Sequence, residues 1–478
     1  MSLALLAIVG LPLVAAVVLV AIPDYRISAA GNMLAMFGTL AAGIALLFEP
    51  RMAGDYFIVD DVNILFILIN TLVGFTTSAF SASYISHEIE IGRLTPLFVR
   101  FYHAMFLAMM GAMNLALSAN NIGLLWVGLE LATLITVVMV GIYRTPAAIE
   151  AAWKYFILGS VGISLAFFGT ILIYLAGQKP LGEGVPAMTW TLLLSAAPQL
   201  DAALLNLAFI FLLVGYGTKV GLAPLHAWLP DAHAEGPTPV SAVLSGLLLN
   251  VALYALLRFK MIVAAHPQAI DPGPVMIVMG LLSLIFAAFM LYQRRDIKRL
   301  FAYSSIEHMG LIVFAFGMGG ALANFAGLLH MAMHSLTKSA IFFAVGHIAQ
   351  AKGTQQLSGI RGLSVSHPAL AVGLAAGVLA ISGLPPFGVF MSEFLIITTT
   401  FATTPWLAVF PVFGLLVAFG ALLMRLQDVL FGEPTEPSHP VKASYAPMII
   451  HLALVLGAGL FLPPALAGWL ERAAELLQ

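Results

Sequence analysis

The chain contains no cysteine and few charged residues. Without cysteine it forms no disulfide and offers no thiolate to a metal ion, an iron–sulfur cluster or a covalent intermediate. Only 9% of the 478 residues are charged, against about 25% in a soluble domain, while 61% are hydrophobic and the mean hydropathy is +1.02. This composition predicts an integral membrane protein.

Other absences narrow the function. The formal net charge is only −2, so we expect no nucleic acid as a partner. The sequence also lacks a phosphate-binding loop, a dinucleotide fingerprint and a quinone or haem motif. The N-terminal apolar stretch has no basic flank and no clear cleavage site, and we therefore interpret it as a retained first membrane span.

Apolar runs of about 17–25 residues predict fourteen transmembrane helices. The expected fold class is an all-α polytopic membrane protein without a separate soluble domain. The helices are predicted to begin near residues 2, 30, 62, 100, 121, 153, 203, 238, 274, 301, 322, 367, 406 and 446.

Lysine and arginine are distributed unevenly between the two sides of this arrangement. Thirteen fall in or near loops that join odd to even helices: Arg26, Arg93, Arg100, Arg144, Lys154, Arg294, Arg295, Lys298, Arg299, Lys352, Arg361, Arg425 and Lys442. Five fall on the other side: Arg51, Lys179, Arg258, Lys260 and Arg472. The positive-inside rule predicts a multi-pass protein with the odd-to-even loops in the cytoplasm and both termini outside.

Charged residues recur with an offset of five helices. Glu130 lies in the predicted fifth helix and Glu307 in the tenth, while Lys219 and Glu393 accompany Gly/Pro breaks in the seventh and twelfth. Because five is odd, the second set would be inverted relative to the first, as in many transporters. We therefore expect two inverted five-helix repeats with broken helices 7 and 12.

These repeats predict four segments. Residues 1–99 hold helices 1–3, residues 100–258 the first repeat (helices 4–8), residues 274–425 the second repeat (helices 9–13), and residues 426–478 helix 14 with a short tail.

Lys219 is surrounded by helix-breaking glycines and a proline in GYGTKVGLAP. A charge at the bilayer centre costs about 2.5–3.5 kcal/mol and therefore requires a partner, water or a function. Glu130 is its natural counter-charge. The pair is either part of a proton pathway or a static ion pair that fixes helix packing.

The stretch HMAMHSLTKSA places His330, His334 and Lys338 on one helical face. Two histidines at this spacing can bind zinc, but neither an intervening acidic residue nor a third ligand is evident. They can instead pack and hydrogen-bond neighbouring helices. We favour a proton relay, because histidine titrates near neutrality and Lys338 continues the row.

Four further residues are candidates with a structural alternative. Glu393, after SGLPPFG, is either the end of the relay or a carboxylate at a helix end, and Glu307 is either a pathway group or half of an ion pair. Lys154 is expected at the membrane interface. His226, at the break, is either a relay member or a capping group.

Six stretches resemble the signatures of one family. They are WVGLELATL, AAWKYF, GTKVGLAPLHAWLPDAH, RRDIKRLFAYSSIEHMG, HSLTKSAIFF and GLPPFGVFMSEF, and they cover roughly helices four to thirteen. By their order and spacing the chain is identified as a member of the antiporter-like proton-translocating membrane subunits. This family includes subunits of respiratory complex I, Mrp sodium/proton antiporters and group 4 hydrogenases. The resemblance implies fourteen helices and a horizontal row of charged residues.

Carried over by position, the resemblance implies the roles of individual residues. The implied proton pathway consists of Glu130, Lys219, His330, His334, Lys338 and Glu393. One position departs from the family pattern, because many members carry a lysine where this chain has Asn250 in SGLLLNVALYALLR. Asparagine holds water but carries no proton, so a water or the histidines of the row would have to bridge that position.

Within the family, SSIEHMG, Asn250 and the short C-terminal end most resemble the F component of hydrogenase-4 or formate-hydrogenlyase-type complexes. The resemblance implies a non-redox, proton-translocating subunit in a bacterial or archaeal plasma membrane, with no cofactor or metal of its own. NiFe and iron–sulfur centres would lie in partner subunits of a peripheral redox arm, beside further membrane subunits. The alternatives are an Mrp-type Na⁺/H⁺ antiporter subunit, a complex I-type subunit and the membrane subunit of an inorganic-carbon uptake complex.

Overall fold

The computed structural model describes residues 2–436 and 439–478, without the side chains at 96, 97, 99 and 100. Arg100, one of the basic residues that predicted the orientation, therefore has its side chain outside the described part. The described residues form twenty α-helices and one two-stranded antiparallel sheet, in which β1 (Met52–Ala53) pairs with β2 (Ile58–Val59).

The helices follow one another with short connections. The N-terminal helices are α1 (Leu3–Val20), α2 (Tyr25–Ala45) and α3 (Asp61–Glu90). The next group is α4 (Pro96–Ser118), α5 (Ile122–Val140), α6 (Pro146–Leu181), α7 (Trp190–Ser195), α8 (Ala202–Val220), α9 (Trp228–Glu235), α10 (Thr238–Val243) and α11 (Leu249–Ala264). The last group is α12 (Pro272–Leu291), α13 (Ile297–Met318), α14 (Ala321–Lys352), α15 (Leu363–Ser366), α16 (Pro368–Ile381), α17 (Gly388–Thr403), α18 (Val409–Phe431), α19 (Ala446–Leu460) and α20 (Pro464–Leu476).

The all-α polytopic fold class is confirmed. In the described residues, 12 spans are long and apolar enough to cross a membrane, and a thirteenth is counted if α19 and α20 form one bent span. A π-helical turn at Leu244–Leu248 joins α10 to α11 within one of these spans. The shorter α16 and α17 together form the predicted twelfth helix.

The predicted fourteenth helix differs from expectation. It is not one straight span, because α19 has only 15 residues and α20 continues after a bend of 86°. Pro463 and Pro464 explain the bend, since proline cannot donate a helical hydrogen bond and its ring clashes with the preceding turn.

Both predicted helix breaks are present. α8 ends at Val220, where Gly221 adopts a left-handed conformation, and the chain resumes as α9 at Trp228. α16 ends at Ile381, and α17 begins at Gly388 after two prolines. The inverted relation between the two halves stays a prediction. The proposed boundaries at 100, 258, 274 and 426 fall inside α4, α11, α12 and α18.

The centre of the molecule is formed by α10, α11, α13 and α14, in which almost every residue is buried. The outer helices instead expose large apolar side chains, such as Val17, Phe37 and Leu416. Apolar surface of this kind suits contact with lipid tails. The histidine row of α14 therefore lies at the centre of the bundle.

Several basic residues that were assigned to loops are buried. Arg258 forms an ion pair with Asp60 at 2.6 Å and packs over the ring of Trp190. Lys260 and Lys298 both donate to main-chain carbonyls, Lys298 to the carbonyl of Gly236 at 2.5 Å. These three residues stabilise helix ends. Because they are buried, they say little about which loops face the cytoplasm.

Gly280 allows α12 and α13 to approach closely, as small residues do in membrane bundles. A Cβ at Gly280 would lie 2.6 Å from the carbonyl oxygen of Gly310 and 2.7 Å from the amide nitrogen of Phe314. We expect Gly280→Ala to lower the stability of the purified protein by about 1–3 kcal/mol, measured by thermal unfolding in detergent, because main chain must shift. Gly10→Ala is the control, since a Cβ there meets nothing within 4 Å among the described residues. An unchanged melting temperature for Gly280→Ala would contradict this packing.

Candidate functional site

Glu130 and Lys219 face each other between α5 and α8. Lys219 is buried, with 1% of its surface exposed, and Glu130 is partly buried. Each lies within electrostatic reach of the other. In the described part of the chain, however, neither Lys219 Nζ nor Glu130 Oε2 has a hydrogen-bond partner. The fold thus brings the predicted pair together without closing it.

The surroundings of Lys219 leave room for its ammonium group. A Cβ at Gly159 would lie 2.9 Å from Lys219 Nζ, so glycine keeps this side open. On another side, Nζ lies 5.8 Å from the ring centroid of Tyr155. The Tyr155 hydroxyl is hydrogen-bonded to Thr136 Oγ1 at 2.9 Å. The lysine therefore adjoins an aromatic face, which is favourable for a cation.

The break after Lys219 is held by specific hydrogen bonds. The indole N–H of Trp228 donates to the carbonyl of Thr218 at 2.9 Å, and its ring stacks on Tyr155 at 4.3 Å. The Ala223 N–H donates to Ser283 Oγ of α12 at 2.9 Å. Main-chain groups freed by a broken helix must be satisfied inside a membrane, and these contacts do so.

A second group of titratable residues converges from α13, α14 and α17. His308 Nδ1 lies 3.0 Å from His330 Nε2, and His330 Nδ1 lies 2.8 Å from Ser392 Oγ. Glu393 Oε1 is 3.9 Å from His308 Nδ1. Two hydrogen bonds therefore connect α13, α14 and α17 through buried side chains, and the Glu393 carboxylate lies close to them.

The carboxylates of Glu307 and Glu393 lie on two sides of His308. Glu307 Oε2 lies 3.8 Å from His308 Nε2, on the side opposite to His330. The carboxylate of Glu393 fits against Gly383 in the break between α16 and α17, where a Cβ would collide with it. Glu393 is 7% exposed, and Glu307 is 1% exposed. Glu307 is therefore buried in the protein interior.

The other residues of the row lie along α14. Lys338 Nζ donates to the carbonyl of Phe301 at 3.0 Å and is within electrostatic reach of Glu307. The ring of His334 lies 5.6 Å from that of His308, and neither of its nitrogens has a hydrogen-bond partner within residues 2–436 and 439–478. We call Glu307, His308, His330, His334, Lys338 and Glu393 the second cluster, and Glu130 with Lys219 the first cluster.

Asn250 packs against α14 beside the second cluster. Its amide group donates to the carbonyl of Gly246 at 2.9 Å and to Ser335 Oγ at 2.6 Å. Its Oδ1 atom is buried and accepts no hydrogen bond from the described residues. A free amide oxygen in this position is suited to accept a hydrogen bond from water.

His233 is a buried histidine that is not among the predicted site residues. Its ring stacks on Phe342 at 5.1 Å, and within the described residues both its nitrogens lack a partner. Lys298 and Lys338 are the charged groups that act on it. His308 is missing from the prediction as well. The sequence did contain a signal for each of them, since His233 follows a broken span and His308 is adjacent to a glutamate within a span.

Two further candidates, Lys154 and His226, belong to neither cluster. Lys154 is half-exposed and forms ion pairs with Glu150 at 2.6 Å and with Asp231 at 3.1 Å. His226 lies in the break after α8, with its ring 4.8 Å from that of Phe286. No hydrogen bond or ion pair joins Lys219 to His233 or to α14 in the described ranges, so the two clusters are separate networks.

The sequence profile of a family described as "NADH:quinone oxidoreductase/Mrp antiporter, TM" matches residues 119–418. A hydrogenase-4 component F homolog of Methylacidiphilum infernorum (isolate V4) is 58% identical over 472 residues, which cover 99% of this chain and 99% of that protein. The NAD(P)H-quinone oxidoreductase chain 4 of Gloeobacter violaceus is 29% identical over 70% of this chain and 63% of its own length.

Solved structures share the fold. A chain of the membrane-bound sulfane sulfur reductase, an archaeal respiratory complex, superposes with a TM-score of 0.88 at 21% identity and covers 100% of this chain and 98% of its own. A chain of the Mrp complex from Dietzia sp. DQ12-45-1b superposes with a TM-score of 0.84 at 19% identity, over 100% and 97% of the two chains. Since the profile match spans more than half of the sequence, the chain belongs to the NADH:quinone oxidoreductase/Mrp antiporter family of membrane subunits.

Proposed function

We propose that the chain is the proton-translocating membrane subunit of a multi-subunit redox complex of the group 4 NiFe hydrogenase type. The observation that carries this proposal is the second cluster, in which His308 contacts His330 and adjoins both Glu307 and Glu393 in the buried interior. The full-length likeness to a hydrogenase-4 component F homolog supports this type of complex. Partner subunits would carry the NiFe and iron–sulfur centres in a peripheral arm.

The proposed setting is a plasma membrane with both termini outside. Most exposed basic residues, including Arg144, Arg295 and Lys442, would then face the cytoplasm. The two clusters would belong to two inverted five-helix repeats and lie in one row within the membrane. Further membrane subunits would dock beside this chain.

The proposed mechanism begins at the first cluster. A change at a partner interface moves Glu130 relative to Lys219. Approach of the carboxylate stabilises the ammonium by Coulomb attraction, which is strong where water is scarce. Separation leaves the ammonium without compensation and favours release of its proton. The unclosed pair in this structure supports such movement, because neither Lys219 Nζ nor Glu130 Oε2 is fixed by another described hydrogen bond.

The released proton then enters the second cluster. We propose that it passes among His330, His334 and Lys338 towards Glu393, with His308 as the neighbour of both His330 and Glu393. His233, whose ring stacks on Phe342 of α14, would be a further proton carrier on the way to the second cluster in this scheme. Water would bridge the distance from Lys219, since a proton moves along hydrogen-bonded chains.

Proton movement by the intact complex in inverted membrane vesicles tests the proposed function. Addition of the electron donor should acidify the vesicle lumen, and a protonophore should abolish the signal. The signal should not depend on Na⁺. Sodium-dependent proton exchange without a redox substrate would instead support an Mrp-type antiporter, and donor oxidation without acidification would contradict the proposal.

Asn250 supplies a prediction about water in the relay. Asn250→Leu keeps the approximate volume but removes the free Oδ1, so we expect proton translocation to fall at least about 10-fold at unchanged assembly, because positioned proton-transfer groups contribute large factors. Asn206→Leu is a comparison outside both clusters, since Asn206 accepts from the Ile270 N–H at the start of α12. Unaltered translocation in Asn250→Leu would remove Asn250 from the relay.

A further inference from the structure

His308, His330 and Glu393 have the composition and spacing of a metal site. Their nearest ligand atoms all lie within 4.8 Å of one another, with His308 Nδ1 and His330 Nε2 only 3.0 Å apart. Ligand atoms of a tetrahedral Zn²⁺ ion stand roughly 3.3 Å apart, given metal–ligand bonds of about 2.0–2.2 Å. Small side-chain rotations are therefore sufficient to bring three ligands onto one ion.

One of the two histidines has its second ring nitrogen hydrogen-bonded, and the other has a carboxylate nearby. His330 Nδ1 is hydrogen-bonded to Ser392 Oγ at 2.8 Å, which fixes the ring with Nε2 towards the cluster. His308 Nε2 lies 3.8 Å from the Glu307 carboxylate, which is too long for a hydrogen bond, and a small shift would bring the two into contact. A histidine ligand commonly has its other ring nitrogen bound to a carboxylate or hydroxyl group, because this partner orients the ring and raises its basicity.

An unsatisfied oxygen points into the same space. Glu393 Oε1 is buried and has no hydrogen-bond partner in the described part of the chain, although it lies 3.9 Å from His308 Nδ1. Glu393 is also the most exposed of the three ligands and adjoins the break between α16 and α17, where Pro385 and Pro386 are exposed. Glu393 therefore connects the ligand set to the break between α16 and α17.

We propose that His308, His330 and Glu393 form a Zn²⁺ site whose occupation closes the proton relay. Two imidazoles and one carboxylate are a ligand set that zinc favours, with a fourth position left for water. The bound ion would occupy the lone pairs through which His308 and His330 exchange protons. Binding itself is independent of the transport mechanism, whereas closure of the relay rests on the proposed function.

The binding experiment uses the purified full-length chain in detergent, freed of metal by a chelator and titrated with ZnCl₂ against a zinc indicator. We expect each wild-type chain to bind one Zn²⁺ ion tightly. His308→Ala, His330→Ala and Glu393→Gln should each weaken this binding at least about 10-fold, and Ser392→Ala, which removes only the orienting hydroxyl, about 10-fold. His334→Ala is the matched control, because His334 lies one turn from His330 on α14 but outside this ligand set.

Retention of the tight binding in a His308→Ala/His330→Ala variant would overturn the proposal, and so would its equal loss in His334→Ala. Co²⁺ gives a second measurement, since the folded wild type should develop the visible absorption of a tetrahedral ion and folded Ser392→Ala should require more Co²⁺ for the same signal. In vesicles, Zn²⁺ should inhibit translocation by the wild type, and Ser392→Ala should shift the inhibitory concentration by the factor found for binding. Binding without inhibition would overturn only the closure of the relay, and a wild type that moves no protons would count against the proposed function but not against the site.

Discussion

Replacing Lys219 by alanine is expected to lower coupled proton translocation at least about 100-fold, in the range that a positioned acid–base group supplies. The complex should still assemble. Lys219 Nζ has no hydrogen-bond partner in the described part of the chain, so its removal breaks no described hydrogen bond. The measurement is lumen acidification in inverted vesicles, with complex content determined from the same membranes.

Lys179→Ala is the matched control for this variant, because Lys179 is an exposed residue near the end of α6. It should translocate protons as the wild type does. Wild-type translocation in Lys219→Ala would remove the first cluster from the mechanism. Loss of the whole complex from the membrane would instead show that Lys219 is needed for assembly and would contradict the packing argument.

Replacing Lys338 by glutamine is expected to have an effect of similar size. Glutamine retains an N–H group that can donate to the carbonyl of Phe301, but it cannot take up or release a proton. If Lys338 only holds α14 against α13, the glutamine variant should translocate protons almost as well as the wild type. If Lys338 carries protons, acidification should fall at least about 100-fold.

Lys260→Gln controls for the loss of a buried charge. Lys260 is also buried and donates to a main-chain carbonyl, that of Phe316, at 2.8 Å, but it belongs to neither cluster. We expect near-normal translocation in Lys260→Gln. If the two glutamine variants behaved alike, the role of Lys338 would be structural.

The fold was largely predictable because membrane helices follow simple rules of length and hydropathy. Gly221 and Pro224 also marked the break after α8 correctly, since their backbone properties are local. The bend between α19 and α20 escaped the prediction, although Pro463 and Pro464 are visible in the sequence. A run that is apolar on both sides of a short interruption still satisfies a hydropathy window.

Opposite charge predicted the pairing of Glu130 with Lys219, but the second cluster was predictable only along single helices. The row on α14 follows from the spacing of His330, His334 and Lys338, but His308 and His233 reach the interior from other helices. Which side chains meet across helices depends on crossing positions, such as the close approach of α12 and α13 at Gly280 and Gly310. Sequence spacing carries no such information. Arg258 illustrates the same limit, because its partner Asp60 lies 198 positions away.

The most direct test of the central claim is the number of protons moved per electron pair by the intact complex in sealed vesicles. It should be compared between the wild type and a Lys219→Ala/Lys338→Gln variant at equal donor oxidation. The mechanism predicts a clearly lower ratio in the variant, because the contribution of this subunit is lost while electron transfer in the partners continues. An unchanged ratio would show that protons do not cross the membrane through this chain.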